Sequence, residues 1–236
     1  MPSTRTAVIL LAAGDGRRVG GKTNKVLLPL AGLPVFGWSL RAITQLDTRT
    51  DVVRVVVVVR DQERPVVDQT LAAHFPDLDA VVVTGGSSRH GSEWNALCVL
   101  TDGIEAGTID VVAIHDAARP LAGAGLFAEV IEVARRTGGA LPVREQASLV
   151  HREQAGAVHG RQVAVQTPQA FQAAALLAAY QQADRAGFVG TDTASCIERY
   201  TELRIRCVAA DAGNIKITFP EDVTLAERLL GRSSPT

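Results

Sequence analysis

The sequence predicts a single-domain α/β protein: a mostly parallel, Rossmann-like sheet with helices on both faces and an extended β-arm. Three observations point there. Short valine-rich apolar runs alternate with helical stretches, the pattern of strands covered by helices on both sides. The first such run, Ala7 to Ala13, breaks into a loop dense in glycine and arginine, as strand ends that hold anions do. At 236 residues and 47% hydrophobic, the chain can bury one core of its own, and it carries no internal repeat or low-complexity linker.

The elements follow in order. After the first strand and its loop, Val35 to Leu46 reads as a helix and Val52 to Val59 as a strand. Gln62 to His74 is a helix with Leu71 and Phe75 on its apolar side, and Ala80 to Thr84 a strand. The stretch GGSSRHGS leads into a helix through Asn95 and Leu100. Asp110 to Ile114 is the next strand, Leu126 to Arg136 a helix, and Ala140 to Val143 a short strand. From Arg144 to Ala164 the text turns polar and loses the helical period, with two β-like pieces around Gly156 and Gly160, and it reads as an extended arm. Helices resume at Phe171 to Ala183 and Thr193 to Tyr200, followed by a strand at Leu203 to Val208 and a helix at Glu221 to Leu230. The last four or five residues are expected to fray.

Composition excludes several classes. A formal net charge of −1 does not provide the broad basic field of a nucleic-acid binder, so cations matter by position. No apolar run approaches the roughly 18 residues of a membrane span, and the N-terminal stretch lacks a small-residue cleavage site. A cytoplasmic location is expected. Cys98, Cys196 and Cys207 are odd in number and lack C-x-x-C spacing, which argues against a disulfide framework or a zinc site.

The loop after the first strand invites two stock readings, and its context rejects both. Gly16 to Thr23 fits the P-loop pattern G-x-x-x-x-G-K-[ST]. A P-loop threonine opens a helix, however, and here Pro29 and Pro34 follow within eleven residues. Gly14, Gly16 and Gly20 are spaced G-x-G-x-x-x-G, one residue too long for the dinucleotide fingerprint, and no acid stands about 20 residues on. What remains is Arg17, Arg18, Lys22 and Lys25 around backbone amides, electrostatically a triphosphate clamp.

The stretch LLAAGDGRRVGG…NKVLLPLAGLPV resembles the signature loop of nucleoside-phosphate-sugar transferases. It is most similar to the family of cytidylyltransferases that couple CTP to 2-C-methyl-D-erythritol 4-phosphate. Further matches follow in that family's order: GGSSRHGSEWNAL from 85, IHDAARPL from 114, QTPQAF from 166, GTDTAS from 190 and NIKITFPEDV from 214. The resemblance implies the nucleotide-diphospho-sugar transferase type of fold. It also implies nucleotide contacts at Ala12, Ala13, Gly14, Gly16, Asp116 and Ala117, metal binding by Asp116, and acceptor contacts by Arg119, Thr167 and Thr191.

Nucleotidyl transfer places charge on phosphate oxygens while pyrophosphate leaves, so the catalyst is chiefly a set of fixed cations and a divalent metal such as Mg²⁺. Arg18 and Lys25 suit that role, with Gly14 and Gly16 letting the backbone approach the phosphates. Asp116 follows a strand, at the carboxyl end of the sheet where open α/β sheets bind ligands, and can hold Mg²⁺ while small Ala117 and Ala118 leave room for the ribose. His115 precedes it and points the other way, which argues against a base. Lys216 sits in an otherwise apolar strand and needs an anion to face. Gly85, Gly86 and the Ser92 hydroxyl would frame a pyrimidine-sized slot. Thr191-Asp192 reads equally as an acceptor element or a helix cap.

The departures from the family pattern concentrate on the acceptor side. Asn24-Lys25 stands where the family has proline-lysine, and Glu145-Gln146 where it has aspartate-threonine. His159 occupies the arm-arginine position eight residues before Thr167, and Arg161 lies six before. Three readings stay open: the methylerythritol phosphate enzyme, a cytidylyltransferase for another polyol phosphate such as ribitol 5-phosphate, and a nucleotide-binding homologue without turnover. In the resembling family the arms of two subunits interlock. The expectation here is a homodimer in which Arg161 reaches the partner's acceptor site, rather than an arm that stays in solvent.

Overall fold

Alternation along the first strand sorts the core into two layers. In β1 (Thr6–Leu11), Val8 and Leu10 join one buried cluster and Ala7 and Ile9 the other, because successive side chains of a strand leave on opposite faces. The computed structural model describes residues 5–14, 24–47, 50–146 and 162–232. Beyond the loop, β2 (Pro29–Leu30) and β3 (Leu33–Pro34) form a small hairpin that leads into α1 (Val35–Thr44). Then come β4 (Val52–Val59), α2 (Arg64–His74), β5 (Ala80–Thr84), α3 (Arg89–Glu105), β6 (Val111–Asp116) and α4 (Gly123–Thr137). The chain continues with β7 (Gly138–Glu145), β8 (Val163–Val165), β9 (Gln169–Gln172), α5 (Ala173–Ala186), α6 (Thr193–Tyr200), β10 (Arg204–Ala209) and α7 (Pro220–Arg232).

Among the described residues the large sheet runs β10-β7-β9-β6-β1-β4-β5, with β8 pairing β7 at one end of that strand. β1 lies between β4 and β6, parallel to both, and Ile9 is in register with Val56 and Ile114. Helical crossovers between these strands make parallel pairing possible. One face is covered by α1, α2 and α4 through Phe36, Leu40, Val67, Phe127 and Ile131. The other is covered by α3, α5 and α6 through Leu97, Leu100, Leu176, Tyr180 and Ile197. The mostly parallel sheet covered on both faces is therefore as expected.

The structure moves several boundaries. β9 is a strand absent from the expectation, antiparallel to both β6 and β7; small Ala170 sits in register with Ala113 and Ala140. Phe171, expected to start a helix, is fully buried in β9, so α5 begins at Ala173 instead. The apolar stretch around Lys216 does not join the sheet; residues 214–218 run outside any ladder, tied back by an Ile217 N–H to Ala118 O bond of 2.7 Å. β7 runs on to Glu145 and pairs with β8, so both ends of the arm are strand. The remainder of the arm, with Gly156, Gly160 and Arg161, lies outside the described residues, as do Gly16 and Arg18.

Candidate active site

β6 delivers the chemistry, and its alternation sends its last two residues to opposite faces. His115 is fully buried, its ring 4.8 Å from that of Phe127 on α4. Its Nε2 lies 3.1 Å from the carbonyl of Arg119, which can only accept, so that nitrogen carries the proton. Nδ1 therefore accepts from the Thr167 hydroxyl at 3.1 Å, and Thr167 Oγ1 in turn accepts the backbone N–H of Asp116 at 3.0 Å. Burial lowers the His115 pKa to about 4, despite a partial opposing pull from Asp116. This histidine is a buried neutral strut that orients Asp116 through Thr167, in keeping with its exclusion as a base.

Asp116 turns its side chain toward α3, where it is 10% exposed. Lys216 Nζ lies 2.6 Å from Oδ2, and the Arg89 guanidinium is hydrogen-bonded to Oδ1. Burial alone would push this carboxyl up; the charges and hydrogen bonds of Arg89 and Lys216 outweigh it and hold Asp116 well below the usual carboxylate range. Arg89 is anchored behind by Glu93, whose Oε1 comes within 3.1 Å of its Nε. Lys216 is brought here by Asn214, which donates to Gln166 Oε1 at 2.9 Å and to the Thr167 carbonyl at 3.1 Å. Arg119 donates to the Asn214 carbonyl at 2.8 Å. Its buried Nε has no hydrogen-bond partner among the described residues, and burial lowers its pKa, a cost that a bound anion would offset.

Beside Asp116 opens a cleft of about 350 Å³, lined among others by Ala13, Gly14, Lys25, Gly86, Ser92, Asp116, Ala118 and Lys216. Lys25 is placed by its neighbour. Asn24, 2% exposed, donates to the Ala12 carbonyl at 2.8 Å and to Glu63 Oε2 at 3.0 Å, and Arg60 Nε braces the other Glu63 oxygen at 2.9 Å. Its backbone sits at φ −63°, the angle a proline ring would impose, so side-chain bonds supply the stiffness that a proline would otherwise provide. Gly85 and Gly86 are required by close approach: an added Cβ would meet Ala13 Cβ at 2.6 Å in the first case and the Gly91 carbonyl carbon at 2.7 Å in the second. Gly86 N–H donates to Ser92 Oγ at 3.1 Å, so this hydroxyl shapes the loop as well as facing the cleft.

Several expected contacts stand one step back. Ala12 offers its carbonyl to Asn24 and is 1% exposed, and fully buried Ala117 leaves the cleft wall to Ala118. Thr167, 4% exposed, acts through Asp116. Thr191 is exposed at the head of α6 and does not line the cleft; Asp192 is the helix cap, accepting from Ser195 N–H at 2.9 Å. Arg89, Glu93, Asn214 and Gln166 are absent from the expected set. Glu93 had a readable sign, since it falls on the helix face of buried Ala96, Leu97 and Leu100, four residues after Arg89.

The family model described as 2-C-methyl-D-erythritol 4-phosphate cytidylyltransferase matches residues 6–232. Curated proteins of that name are similar over nearly their whole length. One from Symbiobacterium thermophilum is 37% identical over 95% of this chain and 92% of its own, and one from Geobacillus kaustophilus is 34% identical over 94% and 95%. The crystal structure of the enzyme of that name from Thermus thermophilus superposes with a TM-score of 0.71 at 30% identity, covering 97% of this chain and 98% of that one.

Proposed function

The chain belongs to the 2-C-methyl-D-erythritol 4-phosphate cytidylyltransferase family, and from that premise we propose how its cleft moves CMP from CTP to the acceptor. The reaction is nucleotidyl transfer: an acceptor phosphate oxygen attacks the α-phosphorus in line and pyrophosphate leaves. The observation that carries the reading is convergence. Lys25, Lys216 and Asp116, brought from three distant parts of the sequence, line one cleft bounded by Gly14 and Gly86. Lys25 and Lys216 stabilise charge that grows on the phosphate oxygens in the transition state. Arg18, Gly16 and the remaining loop cations belong to the same clamp by resemblance. Gly85, Gly86 and Ser92 frame the base, while Arg119, whose Nε has no hydrogen-bond partner among the described residues, serves the acceptor, with Thr191 and Arg161 assigned there by the resemblance alone.

Mg²⁺ fits this donor set. Among the described residues no cluster of three or more His, Cys, Asp or Glu could cage a metal alone, and Mg²⁺ is commonly held by one carboxylate together with substrate phosphates. Asp116 would hold it, and the ion supplies neutralisation of charge developing on those phosphates. A homodimer through the arm is supported by β8, a short strand on the sheet's margin with Val163 39% and Val165 45% exposed, an apolar edge that favours pairing. A cytoplasmic location is supported by free thiols at exposed Cys98 and Cys207. No helix among the described residues is long and apolar enough to cross a membrane.

The test is turnover. Pyrophosphate release is measured with CTP, ATP or GTP, Mg²⁺ and a panel of polyol phosphates that includes methylerythritol 4-phosphate and ribitol 5-phosphate. CTP with methylerythritol 4-phosphate should give the highest kcat/KM. A preference for ribitol 5-phosphate would reassign the acceptor, and equal rates with ATP would remove the base slot.

A further inference from the structure

Behind Asp116 lies a second buried carboxylate. Glu93 on α3 has a side chain only 1% exposed and sits between three elements. From its own helix Arg89 approaches within 3.1 Å, from α6 Thr193 Oγ1 donates to Oε1 at 2.8 Å, and from α5 the Tyr180 hydroxyl donates to Oε2. Burial raises its pKa, while the Arg89 charge and the two hydroxyl bonds pull the other way. Four charges are thereby strung in one line, Glu93, Arg89, Asp116 and Lys216, two anions and two cations in balance.

A divalent cation reaches this carboxylate only by displacing a cation already paired with it. Both Asp116 oxygens carry a cation, Arg89 on Oδ1 and Lys216 on Oδ2. Lys216 is 42% exposed on a chain segment outside the sheet and can turn to a phosphate. Arg89 is mostly buried, its side chain 28% exposed, and a guanidinium left unpaired there would be strongly disfavoured. We propose that Glu93 is a positioning residue whose charge lets Arg89 give up Asp116 Oδ1 to a divalent cation while staying paired on its other side. Without that charge, Asp116 would be the only anion left to Arg89 among the described residues, and the guanidinium would compete with the metal for the carboxylate. The inference rests on the reading of Asp116 as the metal ligand.

The experiment measures binding without turnover. α,β-Methylene-CTP, inert at the α-phosphorus, is titrated calorimetrically into the full chain with no divalent ion and again with saturating Mn²⁺, and the ratio of the two affinities is the metal-dependent gain. Asp116→Asn should abolish the gain; if it does not, the metal reading itself fails. Glu93→Gln keeps the shape, with one hydroxyl turned to accept from the amide N–H, but removes the charge, and should cut the gain about tenfold through competition by Arg89. Adding Arg89→Met to Glu93→Gln removes the competitor and should restore the gain to within about threefold of wild type, a rescue that a merely structural role for Glu93 would not produce. A wild-type gain in Glu93→Gln, with Asp116→Asn inactive in binding metal, would overturn the proposal, as would a double variant no better than Glu93→Gln. Should Glu93→Gln fail to fold, the double variant decides alone: a gain near wild type supports the proposal and an abolished gain overturns it.

Discussion

Lys216 Nζ lies 2.6 Å from Asp116 Oδ2, joining two residues that stand 100 positions apart in the chain. The lysine is thus held at the cleft by the same carboxylate proposed to bind the metal. It does not anchor the fold, being 42% exposed, so its removal should affect chemistry more than stability. Lys216→Ala and Lys25→Ala should each lower kcat by about 10²–10³ while leaving the thermal midpoint within a few degrees of wild type. Steady-state kinetics beside a melting curve checks this, and near-normal turnover in both variants would dismiss the cation mechanism.

Asn24 sets the position of Lys25 through the Ala12 carbonyl and Glu63. Among the described residues, Asn24→Ala leaves buried Glu63 with Arg60 as its side-chain partner and loosens the stem of the loop. The KM for CTP should rise several-fold with the KM for the acceptor nearly unchanged, because both of these hydrogen bonds brace the nucleotide side of the cleft. A rise confined to the acceptor would contradict this placement.

His115 makes stability depend on pH. Its ordinary pKa of 6.5 is lowered to about 4 in the fold, so the native protein resists a proton that the unfolded chain accepts. Its contribution is fully present above pH 6.5 and is lost as pH falls toward 4, amounting to about 3 kcal/mol in all. The gap in unfolding free energy between wild type and His115→Gln should shrink by about that much between pH 7 and pH 4, the titrating groups common to both proteins cancelling in the difference. Parallel curves would mean that His115 titrates normally.

The proposed homodimer assigns the interface to the arm. Deleting residues 147 to 160 should turn a dimer into a monomer by light scattering, and a deletion variant that stays dimeric would take the arm out of the interface. Arg161→Ala should raise the acceptor KM while leaving that for CTP alone; an unchanged acceptor KM would remove this arginine from the site.

Much of this protein is determined locally. Valine runs with period two and helical runs with period 3.6 depend only on neighbouring residues, so the parallel core and the place of Asp116 at the carboxyl side of the sheet could be read from the chain itself, although β6 runs two residues past the expected Ile114. Residue chemistry and the family resemblance likewise marked Gly14, Lys25, Gly86, Ser92 and Lys216, all of which line the cleft. Tertiary structure alone decided what depends on partners far along the sequence. β9 is a strand because it fills the gap between β6 and β7, and four residues around Phe171 carry too little periodicity to announce it. Thr167 serves Asp116 from 51 positions away, and Glu93 reaches Thr193 across 100. A buried charge or hydroxyl has its meaning set by the group it meets, and that meeting is made by packing α3, α5 and α6 onto one face of the sheet, where no local pattern of residues specifies it.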